Sequence, residues 1–274
     1  MVGVTSVGFV VHEGRAAAVE AATTLRDELA REGIECLDGA QQGIALVVAV
    51  GGDGTFLRGA HAAAGLGVPV LGVKVGRLGF LTEVEPSNAA PLISQALAGD
   101  APVEDRLAVV AEPMGGASFE RQWAMNEIMI EKRARHRLVR LRVELDGEYL
   151  TTFSADGVIV ATPTGSTAYS FSARGPLVSP SVGVLVVTAV APHMVFDRSF
   201  VLGAEQVVRV EVVGDEPGLL SADGRDAVEL PVGAAVRIGR ADHPARFVRR
   251  PDAAPFVARV RDKFDLPGDP EDGA

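Results

Sequence analysis

The amino-acid sequence predicts an α/β domain with a parallel sheet, followed by a β-rich domain, with a C-terminal segment that returns to the first domain. Three observations support this fold class. The chain has 274 residues, more than one domain usually contains. Its first hundred residues alternate between strand and helix patterns, and from about residue 104 short apolar runs separated by turns replace them. We therefore expect domains at 1–103 and 104–248 and the returning segment at 249–274.

The first domain is predicted from strand and helix patterns that alternate along the chain. Apolar residues spaced three and four apart mark each helix, and apolar runs rich in valine mark each strand. In order, the elements are a strand at 6–12, a helix within 13–33, a strand at 43–50, a helix that follows the glycine-rich turn at 51–55, a strand at 68–75 and a helix within 86–100. This order predicts a parallel sheet with right-handed crossovers.

The second domain is predicted to consist of strands, because little helical periodicity remains after residue 104. Its clearest apolar runs, bounded by Gly, Pro and Asp, are 138–145, 148–153, 157–162, 182–190, 207–213 and 234–239. The last stretch, 255–269, is short and amphipathic, so we expect it to pack back on the first domain.

Composition and charge exclude several classes of function. The formal charge is −10 and no Lys/Arg-rich stripe is present, so nucleic acid is not an expected partner. No apolar run reaches the roughly 20 residues that cross a membrane, and the N-terminus lacks the basic region of a signal peptide. The single Cys36 fits a reducing compartment, and the five histidines lack ligand spacing. We expect a cytoplasmic protein without a zinc site.

Residues 47–60 read VVAVGGDGTFLRGA, a buried strand that ends in a glycine-rich turn. Asp-Gly between apolar runs also occurs in β-hairpins, but the helical spacing that follows favours a strand-to-helix turn, where α/β folds bind ligands. Gly51 and Gly52 would let the backbone approach a phosphate, next to helix amides that carry partial positive charge. Thr55 would add a hydroxyl donor and Arg58 a charge-assisted contact.

Asp53 is the unexpected residue of this turn, since a carboxylate repels phosphate. The sequence contains neither a P-loop nor the dinucleotide fingerprint G-x-G-x-x-G after its first strand. An acid in such a turn could hold Mg²⁺ against phosphate oxygens, or it could accept the proton of an attacking hydroxyl. Both tasks belong to phosphoryl transfer.

The GGDGT turn resembles the signature of the superfamily that contains NAD kinases, diacylglycerol and sphingosine kinases, and 6-phosphofructokinase. This resemblance implies a kinase and leaves the acceptor of the phosphate open.

A hydroxyl-rich stretch in the second domain narrows the choice of acceptor. Residues 156–172 read DGVIVATPTGSTAYSFS, with seven hydroxyl side chains from Thr162 to Ser172. This number exceeds what a plain Ser/Thr-rich turn requires. Hydroxyls presented together suit a sugar and a pyrophosphate, and Tyr169 offers an aromatic face for a base.

Asn126 and Glu127 are adjacent polar residues in the apolar run MNEIMIEK. Neighbours on a strand point to opposite faces, so at least one of the two would be buried or poised over a cleft. Read in order, GGDGT, GRLGFL at 76–81, this pair and DGVIVATPTGSTAYS resemble the NAD kinase family over about residues 5–265. The TPTGSTAY stretch distinguishes NAD kinases from the lipid kinases of the superfamily, which lack it.

The resemblance implies transfer of the γ-phosphate of ATP to the 2′-hydroxyl of the adenosine ribose of NAD, giving NADP. It also implies Mg²⁺ or another divalent cation with ATP, and a homodimer or homotetramer. ATP and polyphosphate stay open as donors, and NADH stays open as a second acceptor.

The resemblance also implies site residues. Asp53 would be catalytic, as the acceptor of the proton of the 2′-hydroxyl, and no residue is assigned to a metal. The implied substrate-binding residues are Asp53, Gly54, Arg58, Phe80, Asn126, Glu127, Arg137, Ser154, Asp156, Thr164, Thr167, Ala168, Tyr169, Ser170, Phe171, Ser172 and Arg225. The expected phosphate-binding residues are Gly51, Gly52, Thr55 and Lys74.

Three positions depart from the family pattern. Lys74 stands where asparagine is common, Arg225 where glutamine is frequent, and Arg174 where glycine is common. We expect Lys74 and Arg225 to add positive charge near the substrate phosphates. The SADGRD stretch that contains Arg225 is also typical of a simple hairpin turn.

Three functions other than that of a NAD kinase are alternatives for this sequence. A related kinase could act on a lipid or a sugar phosphate, but the hydroxyl-rich stretch and the lack of a membrane-facing amphipathic helix disfavour it. A non-catalytic NAD-binding regulator could share the fold, although it would have no use for Asp53. A dehydrogenase is disfavoured because its glycine fingerprint is missing.

Overall fold

The computed structural model describes residues 5–76 and 79–267 and divides them into two compact units. The first unit contains the described residues up to Asp105 together with those from Ala245 onward, and the second unit is Arg106–Pro244. The predicted fold class is confirmed, including the return of the C-terminal segment to the first unit.

The first unit is a six-stranded sheet with helices. Its elements are β1 (Ser6–Val11), α1 (Ala16–Arg31), β2 (Glu35–Asp38), β3 (Leu46–Gly51), α2 (Asp53–Leu66), β4 (Val70–Lys74), α3 (Ala89–Ala98), β5 (Val103–Arg106), β18 (Ala245–Val248) and α5 (Phe256–Phe264). The strand order is β2-β1-β3-β4-β18-β5, and β1 pairs in parallel with β2 and β3, as β4 does with β3 and β18. All six residues of β3 are buried, as expected for a central strand of a parallel sheet.

Three strands of this sheet, β2, β5 and β18, were not predicted from the sequence. β2 lies at the sheet edge, and its charged ends Glu35 and Asp38 are exposed, so its pattern does not resemble a buried strand. β18 comes after the whole second unit, yet it joins the sheet beside β4, with Phe247 opposite Val70.

The second unit contains two antiparallel six-stranded sheets. Its elements are β6 (Val109–Met114), β7 (Gln122–Ala124), β8 (Glu127–Lys132), β9 (Val139–Leu145), β10 (Glu148–Ala155), β11 (Gly157–Ala161), α4 (Tyr169–Ser172), β12 (Val184–Val190), β13 (Phe200–Gly203), β14 (Val208–Val213), β15 (Gly218–Ala222), β16 (Val228–Leu230) and β17 (Ala235–Arg240). The strand orders are β10-β9-β14-β17-β6-β7 and β13-β12-β11-β8-β15-β16. Side chains of both sheets share one buried core, among them Leu141, Phe153, Ile128 and Val158.

The glycine-rich turn joins a strand to a helix, so the hairpin alternative is wrong for this segment. β3 ends at Gly51 and α2 begins at Asp53, which places the turn at the carboxyl edge of the parallel sheet. Phe56, in the first turns of α2, is 1% exposed and packs edge-on against Phe247 with 4.8 Å between ring centroids. The returning strand β18 thereby supports the helix that carries the turn.

Within residues 5–76 and 79–267, the helices are too short or too polar to span a bilayer.

Replacing Phe56 by alanine should lower the free energy of unfolding of the first unit by about 3–5 kcal/mol, because a buried ring leaves a cavity. Circular dichroism during urea unfolding is the measurement, since most of the helices lie in this unit. Val257→Ala is the control, because the Val257 side chain is 76% exposed. Equal midpoints for Phe56→Ala and the control would contradict the expected support.

Candidate active site

Asp53 is the first residue of α2, and both of its carboxylate oxygens accept hydrogen bonds from backbone N–H groups. The N–H of Phe80 donates to Oδ2 at 3.0 Å, and the N–H of Leu81 donates to Oδ1 at 3.2 Å. The side chain is only partly buried. The orientation of this carboxylate is therefore set by a segment 27 and 28 residues downstream.

Gly79 makes this contact possible. A Cβ atom at residue 79 would lie 2.0 Å from Oδ1 of Asp53, far inside van der Waals contact. Gly51 is needed for a similar reason, because a Cβ there would lie 2.6 Å from Oγ1 of Thr55. A Cβ at Gly52 or Gly54 would meet open space, so these two glycines leave room for a ligand.

A pocket of about 590 Å³ lies beside the glycine-rich turn in the first unit. Its lining residues come from the loop after β1 and from the start of α2; they are Val11, His12, Glu13, Gly14, Arg15, Gly52, Gly54, Thr55 and Arg58. Sequence reasoning missed His12 and Arg15. These two residues follow β1, which neighbours β3 in the parallel sheet. Because the carboxyl ends of neighbouring parallel strands lie at the same sheet edge, the position of His12 and Arg15 directly after β1 was a signal that they lie near the glycine-rich turn.

The cationic side chains near this edge already have partners within the protein. Arg15 donates to the carbonyl of Val75 at 2.8 Å, and exposed Arg58 donates to the carbonyl of Val11 at 3.3 Å. Lys74, opposite Gly51 in the sheet register, forms an ion pair of 2.7 Å with Glu85, which offsets part of its charge.

In the second unit, Asn126 and Glu127 are both buried, with 6% and 8% of their surface exposed. Among the described residues, Oδ1 of Asn126 and Oε2 of Glu127 have no hydrogen-bond partner. Buried polar atoms are nearly always paired, so each of these two unpaired atoms offers a contact to a polar ligand.

Asp223, which the sequence analysis did not name, holds this pair in place. Its carboxylate accepts hydrogen bonds from the N–H groups of Met125, Asn126 and Glu127 at 2.8, 2.7 and 3.1 Å. Asp223 lies in the turn between β15 and β16, with φ at 51°. The SADGRD stretch is therefore a hairpin turn, and its first acid supports the neighbouring strand β8.

Burial, and to a smaller extent the nearby Asp223 carboxylate, together raise the pKa of Glu127 from 4.5 to about 8. The pKa of Asp223 is also raised by burial, while its three backbone hydrogen bonds and Arg225 act in the opposite direction. Glu127 therefore carries a proton at neutral pH, and as an acid it can donate a hydrogen bond to a ligand.

Several hydroxyls of the 156–172 stretch build the turn itself. Thr162 donates to the carbonyl of Met125 at 2.6 Å, Ser166 to that of Pro163 at 2.7 Å, and Thr167 to that of Thr164 at 3.2 Å. Several of these hydroxyls therefore build the turn.

This turn lies directly on Asn126. A Cβ at Gly165 would lie 2.1 Å from the carbonyl oxygen of Asn126. Tyr169 and Phe171, at the adjoining α4, are 42% and 38% exposed, and Ser172 is exposed too. Three side chains of the stretch therefore remain accessible.

The remaining predicted residues of the second unit take part in contacts of their own. Asp156 pairs with Lys132 at 2.5 Å, and exposed Arg137 lies 3.5 Å from Glu216. The hydroxyl of Thr164 accepts a hydrogen bond from the guanidinium of Arg106, and the hydroxyl of Ser170 contacts that of Thr188. The guanidinium of Arg225 donates to the backbone carbonyls of Ala222 and Trp123. Ser154 and Ala168 are half-buried.

The GRLGFL motif is divided by the described range, because Arg77 and Leu78 lie outside it. Gly76 and residues 79–81 are the described part, and residues 79–81 lie against Asp53.

Comparison with known proteins identifies the family. Residues 35–101 match the model of the ATP-NAD kinase N-terminal domain, and residues 125–250 match that of the ATP-NAD kinase C-terminal domain. A NAD kinase of Rhodococcus opacus (strain B4) is 42% identical, over 82% of this chain and 71% of that protein. The chain belongs to the NAD kinase family. NAD kinase 2 of Streptomyces coelicolor is 37% identical, over 96% of this chain and 95% of the relative.

Solved NAD kinase structures share the fold. A yeast NADH kinase complexed with NADH superposes with a TM-score of 0.85 at 24% identity, covering 97% of this chain and 89% of its own. A NAD kinase of Archaeoglobus fulgidus in complex with ATP gives a TM-score of 0.76 at 25% identity, covering 96% and 97%.

The raised pKa of Glu127 predicts that the second unit loses stability as pH rises. The folded chain binds this proton more tightly than the unfolded chain, so the stabilisation is complete below pH 4.5 and is lost as pH rises to about 8. With about 1.4 kcal/mol for each pKa unit, the loss between pH 5 and pH 8 is on the order of a few kcal/mol.

Glu127→Gln should remove most of this loss, because the amide has no proton to release. Urea unfolding at pH 5 and pH 8, followed by the fluorescence of Trp123 in the same unit, measures it. Glu148→Gln, at an exposed glutamate, is the control. A variant that loses as much stability as the wild type over this pH range would contradict the assignment.

Proposed function

We propose that this member of the NAD kinase family transfers the γ-phosphoryl group of ATP to the 2′-hydroxyl of the adenosine ribose of NAD, giving NADP. The observation that carries the catalytic proposal is the carboxylate of Asp53, held by two backbone N–H groups at the start of α2. Gly52 and Gly54, on either side of it, line the pocket of about 590 Å³. Helix N–H groups at this position favour phosphate.

In the proposed reaction, Asp53 orients the 2′-hydroxyl and accepts its proton. The hydroxyl oxygen forms a bond to the γ-phosphorus while the bond to the β,γ-bridging oxygen breaks, and ADP leaves. A loose transition state needs little early proton removal, so alignment matters more than basicity. The two backbone hydrogen bonds to Asp53 supply such alignment, since they fix both carboxylate oxygens.

We propose that a divalent cation, Mg²⁺, accompanies ATP. The described residues hold no cluster of three or more acidic, His or Cys side chains that could form a protein-only cage. Mg²⁺ commonly binds through substrate phosphates and water, so the phosphates of ATP would supply most of its ligands. Such an ion would neutralise charge on the phosphates.

We propose that NAD binds through the second unit, with its adenosine at Asn126 and Glu127. The support is their unpartnered buried oxygens, one an acceptor and the other on a carboxyl group that is protonated at neutral pH. The exposed rings of Tyr169 and Phe171 offer faces for a base. The first unit would then hold the phosphate donor.

Further proposals concern the donor, the assembly and the location. We favour ATP over polyphosphate, since the Archaeoglobus fulgidus relative is a complex with ATP. We also propose a homodimer or homotetramer that supplies NADP in the cytoplasm. A coupled NADP assay with polyphosphate in place of ATP tests the donor, chromatographic detection of NADPH after incubation with NADH tests the second acceptor, and sedimentation tests the assembly.

Asp53→Asn should lower kcat by several orders of magnitude, about 10²–10⁴-fold, because the amide cannot accept the proton. Binding of NAD should persist. Purified protein is incubated with NAD, ATP and Mg²⁺, and the NADP formed is coupled to an NADP-specific dehydrogenase. Asp100→Asn, at an exposed aspartate of the same unit, is the control.

The outcomes separate the rival functions. Wild-type protein that binds NAD but never forms NADP would favour a non-catalytic regulator. An Asp53→Asn variant that only binds more weakly, at unchanged kcat, would contradict the role of proton acceptor.

Lys74→Ala should raise the KM for ATP or NAD by about threefold to tenfold, equivalent to about 1 kcal/mol, if its ammonium group assists phosphate binding. The effect is expected to be modest because Glu85 already pairs with Lys74. Glu85→Gln keeps the lysine charge and should not raise either KM. Unchanged constants for both substrates in Lys74→Ala would rule the contribution out.

A further inference from the structure

The peptide group between Phe80 and Leu81 has hydrogen bonds at both ends. Its N–H, that of Leu81, donates to Oδ1 of Asp53 at 3.2 Å. Its carbonyl, that of Phe80, accepts from Nη1 of Arg259 at 3.2 Å. One peptide group therefore joins a guanidinium of α5 to the carboxylate of Asp53. A carbonyl that accepts a hydrogen bond polarises its amide and strengthens the N–H as a donor.

Arg259 is itself held in a fixed position. Its Nη1 also donates to Oε1 of Glu83 at 2.9 Å, and the same oxygen lies 2.8 Å from Nε of Arg249. The side chains of Arg259 and Glu83 are 13% and 9% exposed, so solvent screens these interactions weakly. A buried, charge-assisted contact of this kind orients its partners more firmly than a surface ion pair.

The same helix also contacts the side chain of Phe80. The ring of Phe264 lies 5.9 Å from the Phe80 ring between centroids, and Nζ of Lys263 lies 6.0 Å from the Phe80 centroid. Residues 79–83 belong to no helix or strand, so no backbone ladder of their own orients them. The Phe80–Leu81 peptide group is oriented by contacts from α5 and from Asp53, and the segment is anchored at its end by the N–H of Glu83, which donates to the carbonyl of Gly72 at 3.2 Å.

We propose that Arg259 is a positioning residue for Asp53, acting through the Phe80–Leu81 peptide group. Arg259 sets the plane of that peptide, and the peptide sets the orientation of the carboxylate. The proposal rests on the catalytic role proposed above for Asp53. A purely structural Arg259, which only fastened α5, would affect stability without a specific effect on turnover.

Arg259→Met tests the proposal, since methionine keeps the apolar stem and removes every donor. The expected result is a fall in kcat of about tenfold to a hundredfold with an unchanged KM for NAD, as for a catalytic group that is slightly misplaced. Arg259→Lys should recover part of the loss. Arg261→Met, at an exposed arginine of the same helix, should leave kcat unchanged. An unchanged kcat in Arg259→Met would overturn the proposal.

A double-mutant cycle with Asp53→Asn separates positioning from general destabilisation. If Arg259 acts through Asp53, adding Arg259→Met to Asp53→Asn should reduce the residual turnover by less than about threefold, since coupled residues are non-additive. The same fold-loss in both backgrounds would overturn the proposal.

Hydrogen–deuterium exchange supplies a readout that does not depend on catalysis. The amides of Phe80 and Leu81 should exchange faster in Arg259→Met than in the wild type, and Arg261→Met should match the wild type. Unchanged exchange in Arg259→Met would overturn the link to Asp53. A wild-type protein that forms no NADP would instead contradict the proposed function, and the exchange data would still decide the link.

Discussion

Two backbone N–H groups fix the orientation of the Asp53 carboxylate, and several features of the first unit bring these groups within hydrogen-bond distance of it. The contact requires Gly79, since any Cβ there would overlap the carboxylate. It also requires α2 to begin directly after β3, which the packing of Phe56 against Phe247 supports from the returning strand β18. Residues from three distant parts of the chain thus contribute to the position of one acidic side chain.

The second unit contains the same kind of interaction. Asp223 accepts three backbone N–H groups at the start of β8, as Asp53 accepts two from the 79–81 segment. In both cases an aspartate anchors the backbone of a remote segment. The difference is location: Asp53 lies at the glycine-rich turn beside the pocket, whereas Asp223 fixes Asn126 and Glu127, whose Oδ1 and Oε2 atoms have no hydrogen-bond partner among the described residues.

The hydroxyl-rich turn illustrates how one stretch can serve both folding and binding. Thr162, Ser166 and Thr167 satisfy carbonyl groups that a buried turn would otherwise leave unpaired. Gly165 lets this turn approach the backbone of Asn126. The binding surface that we propose therefore consists only of the exposed side chains of this stretch, since the other side chains build the turn. The number of hydroxyl groups in the sequence overstates how many are available to a ligand.

The sequence by itself determined the fold class, the strand-to-helix turn at Asp53 and the NAD kinase family, because these depend on local periodicity and on contiguous motifs. It also singled out Asn126 and Glu127 as candidate binding residues, because two adjacent polar residues interrupt an apolar run. Only the tertiary structure decided that β18 enters the sheet and that Asp223 and Arg259 support the site residues. These contacts join residues about one hundred to one hundred and eighty positions apart along the chain. The local sequence around each residue does not identify its partner, because a long-range contact is fixed only by how the whole chain packs.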